Sequence, residues 1–393
     1  MSKLSKLFKR ISFSTPDSTD IIIFDETNSG FIEPVIPDGL TISIFKMRPM
    51  EFHITPVILF KYIRNLKNFK FRSGVASSRG RVYKFFWQLL CIYIKTDLSS
   101  RNPKAIVTFI DNCKKFAWLS ENFNQAPCIA VQNGFRLSYA ANIEDNYYCQ
   151  HLFCFGEREK ESYPKMGYKV DNFYPVGSLL LSNSLDNLVV SDKPTYDLLI
   201  VSCWRGNIGF QKDVKDTMRS MKIMDELLAK YINSRNINAA VILRSEENSE
   251  HWFMPEIGMS EYDYYKNIYG DSAHLIMNDF SELPIYKLIQ ESHMVVSVLS
   301  TALVEAFGFG KKALFYNFCE TNEYHKDFDR AIVSTNNNNK IFNTELDGLL
   351  NMSDKEYSIK YKDLQHYYIS SPKNTSTQSY IRENIKNIVL QYK

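Results

Sequence analysis

The sequence predicts an α/β protein made of two Rossmann-like domains, each with a mostly parallel sheet, facing a central cleft. The chain has 393 residues, which is more than a single hydrophobic core usually supports. Short, continuous apolar runs alternate with helical or polar stretches, a pattern typical of parallel strands buried on both faces. The same alternation begins again near residue 196, so we expect two consecutive βαβ series.

The apolar runs predict the strands of both halves. In the first half they are DIIIF (20–24), TISIF (41–45), AIVTFI (105–110), CIAVQ (128–132) and HLFCF (151–155). In the second half they are YDLLIVSCW (196–204), AAVILR (239–244), MVVSVL (294–299) and KALFYNF (312–318), with a long helix near 217–233. The polar stretch 178–197 predicts a linker. The expected domains are residues 1–185 and 195–375, followed by a C-terminal helix, 376–393, that packs back on the first domain.

Composition limits the class and the compartment. An apolar fraction of 45% and a charged fraction of 23% exclude a wholly disordered chain. Seven cysteines occur without a CxxC pair or a cluster at metal-ligand spacing, which favours reduced thiols. The basic N-terminus, MSKLSKLFKRISFS, lacks the apolar stretch of a secretory signal, and no apolar run reaches about 18 residues. We therefore expect a cytoplasmic protein.

A basic segment between Phe52 and Thr96 contains no Asp or Glu. Its positive residues are Lys61, Arg64, Lys67, Lys70, Arg72, Arg79, Arg81, Lys84 and Lys95, interleaved with Tyr62, Phe69, Phe71, Tyr83, Phe85, Phe86 and Trp87. Polybasic segments with interfacial aromatics bind anionic lipid surfaces. We expect an anionic membrane surface as a partner, at the inner face of the cell membrane, and no nucleic acid. The alternative is a solvated basic face of a helical region.

The segment 295–317, VVSVLSTALVEAFGFGKKALFYN, joins a buried strand to a helix. Ser300 and Thr301 stand where the helix N-cap belongs, and Glu305 follows within the first turns. Hydroxyls and backbone N–H groups at the positive end of a helix form an anion site, which suits a nucleotide phosphate. The alternative is that Ser300 and Thr301 only cap the helix.

Several segments resemble known carbohydrate enzymes. The segment 295–317, with AVILRSEEN at 240–248, resembles the donor-binding half of GT-B glycosyltransferases. IVTFIDNCKKFAWLS (106–120), CIAVQNGFR (128–136) and residues 151–179 resemble bacterial surface-carbohydrate biosynthesis proteins related to retaining β-Kdo transferases. The resemblance implies a GT-B-like fold with an acceptor and catalytic first domain and a nucleotide-sugar donor domain. It implies transfer of a sugar, Kdo from CMP-Kdo, to a lipid-linked or lipopolysaccharide glycan.

The resemblance also implies roles in the second half. It gives Ser300 and Thr301 to the donor phosphate, and Glu305 to the nucleotide ribose or to a supporting hydrogen bond. Arg244 ends a strand, where a guanidinium can meet a phosphate or a sugar carboxylate bidentately. The other candidate donor contacts are Arg205, Gly206, Asn207, Glu246 and Glu247. The alternative for Arg244 is a surface network with the neighbouring glutamates.

The first half is expected to supply the acceptor site and a catalytic carboxylate. Asp111 follows the strand AIVTFI and is the main candidate, although an Asp there is also a common helix N-cap. Further carboxylate candidates are Glu144, Glu157 and Glu159. Gln132, Asn133 and Arg136 are the expected acceptor-binding residues. No Asp-x-Asp motif occupies a strand end, so we expect no catalytic metal and no cofactor other than the donor substrate.

Two other functions share this architecture. A nucleotide-sugar 2-epimerase-like enzyme would isomerise the donor, and a non-catalytic scaffold of a polysaccharide assembly complex would do no chemistry. The basic aromatic segment favours transfer, because an epimerase of soluble nucleotides does not need a membrane-facing surface.

Overall fold

A computed structural model describes residues 11–48, 50–69, 80–136, 147–186, 194–204, 212–245, 253–254, 257–279, 282–319 and 328–392. The chain divides into two compact units. The first contains residues 1–133, 140–180 and 371–393, and the second contains residues 134–139 and 181–370.

The first unit is built on a six-stranded sheet in which all neighbouring strands run parallel. Its strands are β1 (Ile21–Phe24), β2 (Ile42–Phe45), β3 (Ala105–Thr108), β4 (Cys128–Val131), β5 (Tyr148–Cys154) and β6 (Lys169–Pro175). They are arranged in the order β2-β1-β3-β4-β5-β6. Strands β1, β3 and β4 are buried along their whole length, as expected for continuous apolar runs covered on both faces.

Helices cover both faces of this sheet. They are α1 (Ser29–Ile32), α2 (Pro56–Asn68), α3 (Gly80–Ser100), α4 (Lys114–Asn122) and α5 (Arg158–Lys165), with a 3₁₀ turn at Glu33–Val35. A short parallel pair, Ile11–Ser12 with Phe52–His53, lies outside the sheet. Helix α6 (Leu179–Asp186) follows β6.

The C-terminal helix, Thr377–Gln391, packs in the first unit. Its Ile381 and Ile385 are fully buried in the core cluster that contains Ile21 and Val107. The hydroxyl of Thr377 donates to the Val176 carbonyl oxygen at 2.8 Å. The last helix therefore completes the core of the unit in which the chain begins.

The second unit has a six-stranded parallel sheet of its own. Its strands are β7 (Tyr196–Val201), β8 (Ala239–Ile242), β9 (Ala273–Ile276), β10 (Ser292–Ser297), β11 (Lys312–Tyr316) and β12 (Val333–Ser334). The order β9-β8-β7-β10-β11-β12 is that of a doubly wound Rossmann sheet. Its helices are α7 (Lys212–Arg235), α8 (Glu261–Tyr269), α9 (Pro284–Gln290), α10 (Thr301–Gly308), α11 (Asn339–Asn351) and α12 (Asp354–Tyr368). A 3₁₀ turn at Arg330–Ile332 and an antiparallel pair, Phe253–Met254 with Met259–Ser260, complete it.

Two parallel sheets with covering helices confirm the predicted α/β class and its two Rossmann-like units. Two local details differ from the expectation. The boundary between the units, Leu180 to Leu181, lies within the expected linker, but residues 179–186 form helix α6, in which Leu179 and Leu181 are buried. The predicted strand AIVTFI ends at Thr108, so Phe109 and Ile110 separate Asp111 from the last paired residue.

Candidate functional site

The second unit has a topological switch point between β7 and β10. From these two adjacent central strands the sheet extends in opposite directions, and ligands of such sheets bind outside the carboxyl ends of the strands at this point. The Leu299 amide N–H donates to the Cys203 Sγ at 3.0 Å, which joins the segments that follow the two strands. The candidate site is therefore the edge formed by these segments and the start of α10.

Helix α10 begins at this edge as the sequence predicts. The Ser300 Oγ accepts from the Ala302 amide N–H at 3.2 Å, which confirms that Ser300 is the N-cap. Thr301 is the first helical residue, and its Oγ1 accepts from the Phe135 amide N–H at 3.1 Å. The two hydroxyls are thus held differently, one by its own helix and one by a segment distant in sequence.

An aromatic cluster anchors that distant segment within the second unit. The Phe135 ring stacks on Phe328 with centroids 5.1 Å apart and lies 6.0 Å from the Tyr368 ring. Phe328 stacks in turn on Phe315 of β11 at 4.2 Å. Residues 134–136 therefore join the second unit, although the sequence places them directly after β4 of the first.

This arrangement brings Arg136 close to Thr301. A Cβ atom added to Gly134 would lie 3.3 Å from both the Arg136 Nη1 and the Thr301 Oγ1, so only a glycine leaves both groups their present positions. Arg136 was predicted as an acceptor-binding residue of the first half. The structure places its guanidinium beside the start of α10, where a cation and the positive end of the helix both favour an anion.

Glu305 lies one turn further along α10. Its side chain is buried, and both carboxylate oxygens are 3.2 Å from the Tyr286 hydroxyl. The contact holds the carboxylate against α9. The ribose contact implied by the resemblance stays a prediction.

A buried carboxylate that the sequence analysis missed organises the neighbouring strand ends. Glu261, the first residue of α8, accepts from the Arg244 amide N–H at 2.9 Å and the Ser245 amide N–H at 2.8 Å. Its carboxylate also accepts from the Ser245 hydroxyl at 2.5 Å and from the Ser202 hydroxyl. Glu261 therefore ties together the segments that follow β7 and β8. A Glu after an N-capping Ser260 predicts only a helix start, so no local signal could have revealed these contacts.

Arg244 lies just after β8, in the segment whose backbone N–H groups donate to Glu261. Its Nη1 donates to the Trp204 carbonyl oxygen at 2.9 Å, and its side chain is half-buried. The guanidinium is thus oriented across the ends of β7 and β8. The other predicted donor residues, Arg205, Gly206, Asn207, Glu246 and Glu247, lie outside the described residues.

The first unit has its own switch point, between β1 and β3, and a second missed carboxylate stands there. Asp25 directly follows β1, is buried, and has a left-handed φ of 78° that is uncommon for a residue other than glycine. Its carboxylate pairs with Arg48 at 3.3 Å and accepts from the Thr27 amide N–H at 3.1 Å. The sequence did carry a signal, because Asp25 follows DIIIF much as Asp111 follows AIVTFI.

Asp111 lies buried beyond the end of β3. Its Oδ1 accepts from the Asn133 amide N–H at 3.2 Å, which links the segments after β3 and β4. Cys113 stands at the N-cap position of α4, and its side chain makes no capping hydrogen bond. The catalytic role of Asp111 stays a prediction, and Glu144 lies outside the described residues.

Gln132 takes part in a buried network. Its Oε1 accepts from the Phe155 amide N–H at 2.8 Å, and its amide group hydrogen-bonds Glu159. Burial raises the pKa of Glu159, although Arg158 at 3.4 Å and the Gly156 amide N–H at 3.0 Å favour its charged form. The side chains of Gln132 and Glu159 therefore have hydrogen-bond partners within the protein itself. Glu157, by contrast, is exposed and pairs with Lys160 at 2.8 Å.

A family model described as "putative O-antigen biosynthesis protein" matches residues 129–385, more than half of the chain. The chain belongs to this family. The family therefore assigns the chain to surface-carbohydrate biosynthesis, as the resemblance implied. No curated protein sequence matches the chain.

Solved structures show the fold of this O-antigen family member. UDP-GlcNAc 2-epimerase from Neisseria meningitidis, bound to UDP-GlcNAc, is 12% identical with a TM-score of 0.50, covering 94% of this chain and 99% of that chain. S. aureus MnaA with UDP is 13% identical with a TM-score of 0.53, covering 96% and 97%. The Rickettsia bellii UDP-N-acetylglucosamine 2-epimerase is 13% identical with a TM-score of 0.50, covering 96% and 97%. At such identities the likeness shows the fold alone, and it confirms the GT-B-like class.

Within the described part of this O-antigen family member, no group of three or more His, Cys, Asp and Glu side chains could hold a metal ion. Metal independence nevertheless stays a prediction.

Proposed function

We propose that this O-antigen family member transfers a sugar from a nucleotide-activated donor to a surface glycan, and that its second unit binds the donor. The observation that carries the proposal is the position of the Arg136 guanidinium near Thr301, at the start of α10 and at the switch point. A nucleotide-sugar would present a phosphate to this edge.

The chemistry of the edge suits a phosphate. The first amide N–H groups of a helix have no partners within the helix and point along its axis, and the aligned peptide dipoles place partial positive charge there. The Arg136 guanidinium adds a full charge and can bind two phosphate oxygens at once. The Ser300 and Thr301 hydroxyl oxygens each accept from a backbone N–H, and their O–H groups can donate to a phosphate oxygen.

The donor we propose is CMP-Kdo, transferred without a metal to a lipid-linked or lipopolysaccharide glycan. The site residues supporting it are Ser300, Thr301 and Arg136 for the phosphate, Arg244 for a phosphate or the carboxylate of Kdo, and Glu305 for the ribose. Asp111 of the first unit is the proposed catalytic carboxylate. A UDP-sugar is the competing donor, since two of the similar structures hold UDP-GlcNAc or UDP.

A second candidate function is isomerisation of a nucleotide sugar. It is favoured by the similarity to UDP-GlcNAc 2-epimerases over nearly the whole chain. The two functions differ in what happens to the nucleotide, because a transferase releases it and an epimerase retains it on the sugar.

The test is incubation of the purified protein with CMP-Kdo and with UDP-GlcNAc, with and without a lipid-linked glycan and with and without a chelator. Transfer predicts release of the nucleotide that depends on the glycan and persists in the chelator. A new sugar epimer still attached to its nucleotide would identify the epimerase instead. Binding without turnover of either donor would indicate a scaffold, and absence of any nucleotide binding would refute the donor site.

The donor site itself is tested by the double variant Ser300→Ala with Thr301→Ala. We expect nucleotide binding to weaken by about 1–3 kcal/mol, because two hydrogen bonds to a charged group are lost. The matched control is Ser353→Ala, which removes the N-cap of α12 and should leave nucleotide affinity unchanged. Calorimetric titration measures both. Equal affinity of the folded double variant and the wild type would remove these hydroxyls from the site.

A further inference from the structure

Helices α2 and α3 pack against each other through one face of α2. Ile58 is buried, the Tyr62 hydroxyl donates to the Leu89 carbonyl oxygen at 3.3 Å, and the Asn65 Nδ2 donates to the Thr96 Oγ1 at 2.8 Å. Positions 58, 62 and 65 recur at helical spacing and so define a single face. This face of α2 is therefore the one that packs against α3.

The opposite side of α2 is also apolar, but it faces solvent. Val57, Phe60 and Ile63 are 52%, 70% and 52% exposed. On α3, Val82 and Phe86 are four residues apart and are 70% and 63% exposed. Helix faces in contact with water are normally polar, and a group of exposed apolar side chains marks an interaction surface. We call the three residues of α2, Val57, Phe60 and Ile63, the apolar strip.

Positive charge accompanies the apolar strip. Lys61, Arg64 and Lys67 are exposed on α2, and Phe60, Arg64 and Lys67 share a face because they are spaced at i, i+4 and i+7. The whole segment from Phe52 to Thr96 lacks Asp and Glu. A partner of this surface must therefore accept both apolar side chains and positive charge.

Helix α12 offers an internal comparison. Its Ile359 is 72% exposed and stands among Lys355, Lys360 and Lys362. That helix, however, also carries Asp354, Glu356 and Asp363, whose charges offset those of the three lysines. An exposed apolar residue beside lysines is thus present elsewhere, whereas the absence of acidic residues is a property of the α2–α3 surface.

We propose that the α2–α3 surface docks the protein on an anionic lipid bilayer. The apolar strip enters the boundary between headgroups and acyl chains, and Lys61, Arg64 and Lys67 meet the lipid phosphates while their stems stay in apolar contact. No helix among the described residues is both long and apolar enough to cross a membrane. This docking goes beyond the proposed function, which names the donor and the acceptor glycan but no surface that binds the protein to the bilayer.

The first experiment uses the full chain and vesicles of two compositions, phosphatidylcholine alone and phosphatidylcholine with phosphatidylglycerol. We expect co-sedimentation with the anionic vesicles and little with the neutral ones. Raising the salt from about 0.1 M to about 1 M shortens the Debye length from about 10 Å to about 3 Å, so binding should fall steeply. Equal binding to both vesicle types, or no binding to either, would overturn the proposal without any variant.

The second experiment uses variants with a matched control. Replacing Lys61, Arg64 and Lys67 by Gln should weaken binding to anionic vesicles roughly a hundredfold, from about a fivefold loss for each of the three basic residues. Phe60→Ser with Ile63→Ser should weaken it at least tenfold. The control replaces Lys355, Lys360 and Lys362 on α12 by Gln, and it should bind as the wild type does. Equal losses for the α2 and α12 variants would mean that net charge alone acts, and would overturn the assigned surface.

A second copy of the chain is the competing occupant. If the strip were an interface between copies, analytical ultracentrifugation without lipid would show a dimer that Phe60→Ser with Ile63→Ser converts to a monomer, and that result would overturn membrane docking. Nucleotide binding in solution should be unchanged in all these variants, because none of the replaced residues belongs to the donor site. Loss of vesicle binding with intact nucleotide binding therefore tests the docking independently of the proposed function.

Discussion

Glu261 offers the sharpest test of how the donor half is held together. The change Glu261→Ala removes a buried carboxylate that accepts from two backbone N–H groups, those of Arg244 and Ser245, and from two hydroxyls. The hydroxyls can turn to other acceptors, but the backbone donors cannot. A buried donor without a partner costs about 1–3 kcal/mol, so the two together should lower the free energy of unfolding by about 2–6 kcal/mol.

Urea denaturation followed by circular dichroism measures this loss, and calorimetric titration measures nucleotide affinity. We expect affinity to fall as well, because the strand end that carries Arg244 loses its anchor. The matched control is Glu356→Ala, which removes another carboxylate in the first turn of a helix, but an exposed one that accepts only from Ser353. It should cost about 1 kcal/mol and leave nucleotide affinity unchanged. If Glu261→Ala lowered the free energy of unfolding no more than this control does, the hydrogen bonds of Glu261 to the strand ends would not stabilise the fold as argued.

Three further predictions concern packing, catalysis and pH. Gly308→Ala should lower the free energy of unfolding by about 1–3 kcal/mol, since the new Cβ would lie 2.2 Å from the Ile369 Cβ; an unchanged melting temperature would contradict it. Asp111→Asn should cut turnover about 100-fold with donor affinity intact, and near-wild-type turnover would remove Asp111 from the mechanism. Burial raises the pKa of Asp225 from 3.8 to about 7, so the folded state binds a proton that the unfolded state releases, and stability should fall as the pH rises between these values. Asp225→Asn should lack that fall when both proteins are unfolded by urea across the range, and parallel curves would refute the argument.

Local sequence was sufficient for most elements of the fold. The run IIIF predicts a strand covered on both faces, and β1 is buried throughout. The N-cap at Ser300 was also predictable, because the cap acts on the adjacent turn of its own helix. Helix α6, within the expected linker, was not predicted because a polar, serine-rich composition outweighed Leu179 and Leu181, whose burial depends on distant parts of the chain.

Only the tertiary structure decided how the candidate site is assembled. Phe135 and Thr301 are 166 residues apart, and Ser202 and Glu261 are 59 apart, yet each pair is hydrogen-bonded. Apolar runs, helical spacing and capping act over a few residues, so the sequence by itself determined the class of the fold, nine of the twelve strands in the two described sheets and the start of α10. The strand order, the placing of Arg136 beside Thr301 and the burial of Glu261 depend on which segments meet. That outcome is set by the competition of all buried surfaces for the same core, which no local pattern records.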